Sequence, residues 1–217
     1  MSAPASGNIP LEREQRTGWR GQFARPSGLL GVLAGYLMAR TNASMNQAAA
    51  GLLDVRPDDR IIEIGFGPGD LISMLAERAS CGHVAGVDPS EVMVRQAMRR
   101  NREAVAQGRV ELRQGTVSHL PYPDGSFTKA CAVNSFQLWP SPLDDLHEVR
   151  RVLSDGGLLL LGLRVRDPSR RFMGSLGFSE DEVQRVAEVV REAGYRNVRV
   201  EVRHLPRERA AYVLARR

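Results

Sequence analysis

IIEIGFGPGD, residues 61 to 70, decides how the rest of the chain is read. Ile61, Ile62 and Ile64 make a short apolar run that ends on three glycines spaced two apart, Gly65, Gly67 and Gly69, and closes on Asp70. A strand that breaks into bare backbone and restarts as a helix is the usual cradle for a nucleotide-like ligand, although several ligand classes share that outline.

Working outward, short apolar runs alternate with amphipathic stretches from Pro57 onward, which is the pattern of a parallel sheet with crossover helices. Strands are expected at 60–64, 83–87, 109–113, 129–133 and 158–163. Asp70 is expected to cap the helix after the glycines, and Ser90 to cap a long helical stretch stopped by Gly108. Ser141 with Pro142 and Asp144 opens another helix, expected to run to Gly156-Gly157 with Leu143, Leu146, Val149 and Leu153 as its buried stripe. Ser179 and Glu182 form a capping box ahead of Val183, Val186, Ala187 and Val190, and Gly194 stops that helix. In NVRVEV, Val198, Val200 and Val202 alternate as a core face, and AAYVLA at 210–215 supplies a final strand. The link between these last two is too short for a parallel crossover, so one strand must be reversed. The expected fold class is α/β: a Rossmann-like, doubly wound, mostly parallel seven-stranded sheet with an antiparallel last strand, plus N-terminal lid helices. Its parts are a flexible tail at 1–18, a helical lid at 19–56 and the core at 57–217.

With 217 residues, 42% hydrophobic and 25% charged, the chain has the composition of an ordinary globular domain. Its net charge of +5 raises nucleic acid as a partner. However, Lys129 is the only lysine among 30 basic residues, and the arginine pairs are scattered rather than gathered into a patch, which argues against that partner. Cys81 and Cys131 are too few for a disulfide framework or a thiolate metal cluster, so no metal is expected and a cytoplasmic location is.

The glycine spacing separates the ligand classes. A dinucleotide site places its third glycine where Asp70 stands, and a carboxylate there would repel a pyrophosphate by about 1 to 4 kcal/mol. This disfavours a nicotinamide or flavin dinucleotide. S-adenosylmethionine carries an ammonium and a sulfonium and no phosphate, so it meets no such repulsion. Asp88 ends the second expected strand, where a carboxylate can accept both ribose hydroxyls; the competing reading is a cap before Pro89-Ser90.

Together, IIEIGFGPGD, GVDPSEVMVRQA, QGTVSHLPYPDGSF, AVNSFQLWP and EVRRVLSDGGLLLL resemble the class I S-adenosylmethionine-dependent methyltransferases. Within that class they resemble the methyltransferase type 11 group, which includes ubiquinone and menaquinone biosynthesis enzymes. The resemblance implies that Gly65, Phe66, Gly67 and Gly69 approach the methionine part of the cofactor, that Glu63 orients this turn, and that Asp88 and Pro89 lie at the ribose. It places Thr116 and Val117 at the adenine and Asn134 beneath the cofactor, with S-adenosylhomocysteine as product. Two positions depart from the family pattern, since Thr116 and Thr128 stand where acids are usual.

In-line methyl transfer needs alignment and exclusion of water rather than a fixed catalytic set. His119, His147 and Tyr36 are conceivable bases, each with a structural alternative. Adenine-specific nucleic-acid methyltransferases follow the fourth strand with a proline pair and an aromatic, whereas this chain has NSFQLW. Gln137 and Trp139 instead suggest a small acceptor with an apolar body, while Phe136 and Trp139 could equally be core. Tyr36, Met45 and Asn46 join the candidate substrate pocket by analogy. The apolar stretch 28–39 is either a lid over the site or an amphipathic anchor giving peripheral membrane contact, and its thin polar face favours the lid. A non-catalytic S-adenosylmethionine-binding or interaction protein is the alternative function, motivated by Thr116, Thr128 and the lack of an evident base.

Overall fold

A computed structural model of the chain describes residues 42–167, 177–206 and 208–217. The expected tail at 1–18, the stretch 28–39 and Tyr36 lie outside the described residues. The described chain opens with helix α1 over 42–52 and continues with strand β1 (Arg60–Ile64), helix α2 (Asp70–Arg78) and strand β2 (His83–Asp88). Helices α3 (Glu91–Arg100) and α4 (Arg102–Ala106) lead to β3 (Val110–Gln114) and β4 (Phe127–Val133). Helix α5 (Pro142–Val152), β5 (Leu153–Val165), α6 (Glu180–Glu192), β6 (Arg196–His204) and β7 (Arg209–Arg216) complete it.

The seven strands form one sheet in the order β3-β2-β1-β4-β5-β7-β6, with β7 antiparallel to both of its neighbours. The near-continuous apolar runs of the central strands follow from burial on both faces. Ile62, Ala130, Ala132, Leu159 and Leu161 pack on one side against Leu146 and Val149 of α5 and Val183, Val186 and Val190 of α6. Ile61, Cys131, Leu158 and Leu160 face the other way, against Met45 and Ala49 of α1, Leu71 and Leu75 of α2, and Ala97 of α3. Each such aliphatic side chain removed from water contributes about 1.5 to 3 kcal/mol, so both helical layers are held mainly by these stripes.

Four expectations are corrected. Asp70 is not a cap: Gly69, left-handed at φ 81, is the N-cap of α2, in a conformation that glycine adopts without steric cost. Asp70 is the first helical residue, with its carboxylate 2.7 Å from Arg100. The helical stretch after Ser90 breaks at Asn101, whose buried amide donates to Gly69 O and Ala97 O and so pins the glycine turn against α3. Helix α5 ends at Val152 rather than at the glycines, because Leu153 already pairs with Phe127 and begins β5. Its Ser141 makes no side-chain cap; the Ser141 amide instead donates to the Asp145 carboxylate. Val202 is 45% exposed rather than core-facing, because β6 is the edge strand, with Arg199, Glu201 and Arg203 lining that edge. Ser90 and the Ser179-Glu182 box cap their helices as expected. No described helix is long and apolar enough to cross a membrane.

Candidate functional site

The sheet order reverses between β1 and β4, since β2 and β3 extend to one side of β1 and the later strands to the other. At such a switch point the carboxyl ends of the strands splay and leave a crevice. Here it is an open cavity lined from β1, the glycine turn, β2, β4 and α1.

Strand β1 and the glycine turn supply one wall through Glu63, Gly65, Phe66, Gly67, Pro68 and Asp70. Gly65 has φ +73, and a Cβ there would fall 2.5 Å from Ser135 Cβ, so only glycine lets the turn lie against the end of β4. Asp88 and Pro89 reach the cavity from β2, and Thr116 and Val117 from the loop after β3. Asp88 is 6% exposed and does two things at once. One oxygen accepts the Gly67 amide at 2.9 Å and the other the Ser90 amide at 2.8 Å, so the carboxylate ties the glycine turn to the start of α3. The Gly67 amide, which a phosphate would otherwise claim, is thereby committed to a carboxylate.

The opposite wall comes from β4 and α1. Asn134 holds a left-handed backbone at φ 53, a conformation that asparagine tolerates better than most residues. Its amide nitrogen donates to Asn42 Oδ1 at 2.9 Å, and Arg164 donates to the same oxygen at 3.1 Å. Arg164 is ion-paired to Glu208 at 2.8 Å, so α1, β4 and the β6–β7 connection are tied together behind this wall. Asn46, Leu138, Trp139 and Pro140 complete it.

Of the expected cofactor residues, all but Gly69 line the cavity; Gly69 is buried behind the turn, where a Cβ would fall 2.6 Å from Ala97 Cβ. Asn46 and Trp139 line it too. Met45 and Gln137 do not. Met45 faces the core, fully buried, and the Gln137 side chain folds back to donate to Asn134 O. Phe136 is core, and Trp139 packs on it at 5.0 Å between ring centroids while also reaching the cavity. His119 and His147 are exposed and line nothing here. Glu63 makes no hydrogen bond to the glycine turn, contrary to the orienting role expected of it; its Oε2 is buried without a partner. Sequence reasoning missed Asn42, Ser135 and Met93. Asn42 and Asn46 stand four apart, the spacing of one helix face, which is the signal that could have linked them.

The electrostatics are one-sided. Glu63, Asp70 and Asp88 all line the cavity, while the described lining includes no lysine, arginine or histidine. Burial drives the Glu63 carboxyl well above the ordinary range, and the nearby Asp88 and Asp70 push it further. Burial also raises Asp88, against the two amides that favour its ionised form. Asp70 Oδ2 and Glu63 Oε2 are buried without a hydrogen-bond partner among the described residues. Such a set of acids suits a cationic ligand such as S-adenosylmethionine and repels phosphate.

A family model described as a methyltransferase domain matches residues 61–157. Over 136 residues the chain is 32% identical to the uncharacterized methyltransferase YdaC of Bacillus subtilis, covering 63% of this chain and 73% of that protein. It is 34% identical to the 27-O-demethylrifamycin SV methyltransferase of Amycolatopsis mediterranei, over 64% of this chain but only 49% of that protein. A SAM dependent methyltransferase from Aquifex aeolicus shares the fold, with a TM-score of 0.66 at 20% identity over 82% of this chain and 92% of that one.

Proposed function

The chain belongs to the class I S-adenosylmethionine-dependent methyltransferases, and from that premise we propose that it transfers the methyl group to a small, partly apolar molecule held against Asn42, Asn46, Leu138 and Trp139. The observation that carries this reading is the buried Asp88 carboxylate, which braces the glycine turn and still has lone pairs for ribose hydroxyls inside an acid-lined cavity. S-adenosylmethionine, when bound, supplies a methyl group activated by its sulfonium.

The chain's own residues would bind, align and exclude water. Asp88 accepts the ribose hydroxyls, and the turn from Gly65 to Gly69 brings unobstructed backbone to the methionine end. Thr116 would offer a neutral acceptor to the adenine and Val117 an apolar contact. Asn134 stands between the donor and acceptor halves, fixed by Asn42 and backed by Arg164. The acceptor half combines apolar surface on Leu138 and Trp139 with the neutral amides of Asn42 and Asn46. This combination suits an uncharged acceptor. We further read helix α1 as one rim of the acceptor half, a reading supported by Asn42 and Asn46 in the cavity lining. Both cysteines are free, which fits a reducing compartment such as the cytosol.

Calorimetry with S-adenosylhomocysteine tests the donor half. Binding should weaken by roughly 100-fold or more in Asp88→Ala, given about 1.5 to 3 kcal/mol for each hydrogen bond to a charged group. An unchanged affinity would sink the assignment. A methyl-release assay across small neutral molecules with an apolar body tests the acceptor half, and turnover of charged acceptors alone would overturn it.

A further inference from the structure

Glu63 is 3% exposed and lies in register with Gly86 on β2 and with Cys131 on β4. The ionisable groups around it are Asp88 on β2, Asp70 at the start of α2 and the buried Cys131 thiol on β4. Arg100 of α3, the cation on this side of the cavity that reaches Asp70, is spent on that carboxylate. The cavity residues from α1, Asn42 and Asn46, and Met93 from α3 are neutral. Asp88 has two backbone amides to favour its charged form, whereas Glu63 Oε2 has no partner. Asp70 keeps its charge against Arg100, but two further buried carboxylates side by side are costly to ionise without a counter-charge, and of Glu63 and Asp88 it is Glu63 that has less support for its negative charge.

We propose that Glu63 keeps its proton in the ligand-free cavity and releases it to solvent when a sulfonium binds, which makes it the residue that selects the methyl donor over its product. The inference rests on the reading that this cavity takes S-adenosylmethionine. The step balances simply: the Glu63 O–H bond breaks, its electron pair stays on the carboxylate, the proton leaves to bulk water, and the arriving cation replaces it. S-adenosylmethionine has a net charge of +1 and S-adenosylhomocysteine of zero, so only the former supplies the replacement charge. Donor affinity should therefore rise with pH through the range in which free Glu63 titrates, while product affinity stays nearly flat.

The test is calorimetry of the intact chain at pH 7 with each ligand, in buffers of different ionisation enthalpy. The slope of observed heat against buffer enthalpy counts protons released. The expected result is net proton release, up to one per site, with S-adenosylmethionine and none with S-adenosylhomocysteine. Glu63→Gln, a neutral replacement of similar shape, should abolish the release and lower the donor-to-product affinity ratio by roughly tenfold, the value of about 1.4 kcal/mol of lost attraction. Release that persists in Glu63→Gln, or equal slopes for the two ligands in the wild-type chain, overturns the proposal while leaving the cofactor assignment standing. Failure of both ligands to bind the wild-type chain overturns both. Should Glu63→Gln fail to fold, the two wild-type slopes decide alone.

Discussion

Gly65 has two separate reasons to carry no side chain. Its φ of +73 lies in the left-handed region, and Ser135 occupies the space a methyl would need while its hydroxyl donates to Ile64 O at 2.6 Å. Gly65→Ala should therefore cost about 1 to 3 kcal/mol from the backbone alone, with more from the clash. Adding Ser135→Gly should recover the steric part but not the torsional part, leaving the double variant between the single variant and wild type. Thermal denaturation of the four chains separates the two, and complete recovery in the double variant would show that the torsion is harmless. The same contact explains what sequence could and could not reveal here. The glycines are visible because they are adjacent, whereas Ser135, which makes one of them obligatory, stands 70 positions away and looks like any loop serine.

Arg151 of α5 is the equivalent device between elements. It donates to Leu120 O, Tyr122 O and the Asp124 carboxylate, and pairs with Glu148, which also accepts the Leu120 amide. The loop between β3 and β4, which brings Thr116 and Val117 to the cavity, is thus clamped onto a helix. Arg151→Ala should destabilise the chain by about 1 to 3 kcal/mol. It should also weaken S-adenosylhomocysteine binding several-fold and speed amide exchange across 118–126. Unchanged exchange there would mean that the loop holds itself. The pH dependence has a definite sign. The Arg151 hydrogen bond is the main cause holding Glu148 below its ordinary value of 4.5, despite partial burial, with the Leu120 amide assisting. The resulting stabilisation is fully present above that ordinary value and is lost as pH falls through the lowered one, so wild type and Arg151→Ala should converge in acid. At this scale periodicity read the strands and the α6 box correctly because those signals are local. It misplaced the end of α5 because Leu153 is claimed by Phe127 across the sheet. It misassigned Asp70 because the partner that occupies it, Arg100, belongs to the next helix. The acceptor wall was the least legible part, being assembled from α1, the end of β4 and, behind them, Arg164 and Glu208.

Across the whole molecule, the end of the sheet opposite the cavity is fixed by the chain's single lysine. Lys129 is 8% exposed and pairs with Asp59 at 2.6 Å, while its ammonium also donates to Asp54 O just beyond α1. Asp59 accepts in addition from the Arg56 amide and the Thr128 hydroxyl, both at 2.7 Å. Threonine at 128, a departure from the family pattern, is therefore part of this brace. Burial alone would raise the Asp59 carboxyl, but Lys129, Arg56 and Thr128 outweigh it and hold it below the usual aspartate range. Lys129→Met removes the counter-charge and leaves the carboxylate buried, which should cost about 3 to 5 kcal/mol at pH 7. For a chain of this length that corresponds to a loss of roughly 10 °C in melting temperature. In wild type the Asp59 contribution persists above the ordinary aspartate value of 3.8 and fades as pH falls through the lowered one. In the variant, protonation instead relieves the buried charge. The stability gap between the two chains should thus be widest near neutrality and narrow toward pH 4, in chemical denaturation at the two pH values. A constant gap would mean that lost packing of the lysine stem, rather than the orphaned charge, accounts for the damage. Since the brace and the cavity lie at opposite ends of β1, S-adenosylhomocysteine affinity should be unchanged wherever the variant is folded, and a parallel loss of binding would show that the two ends are coupled through the strand.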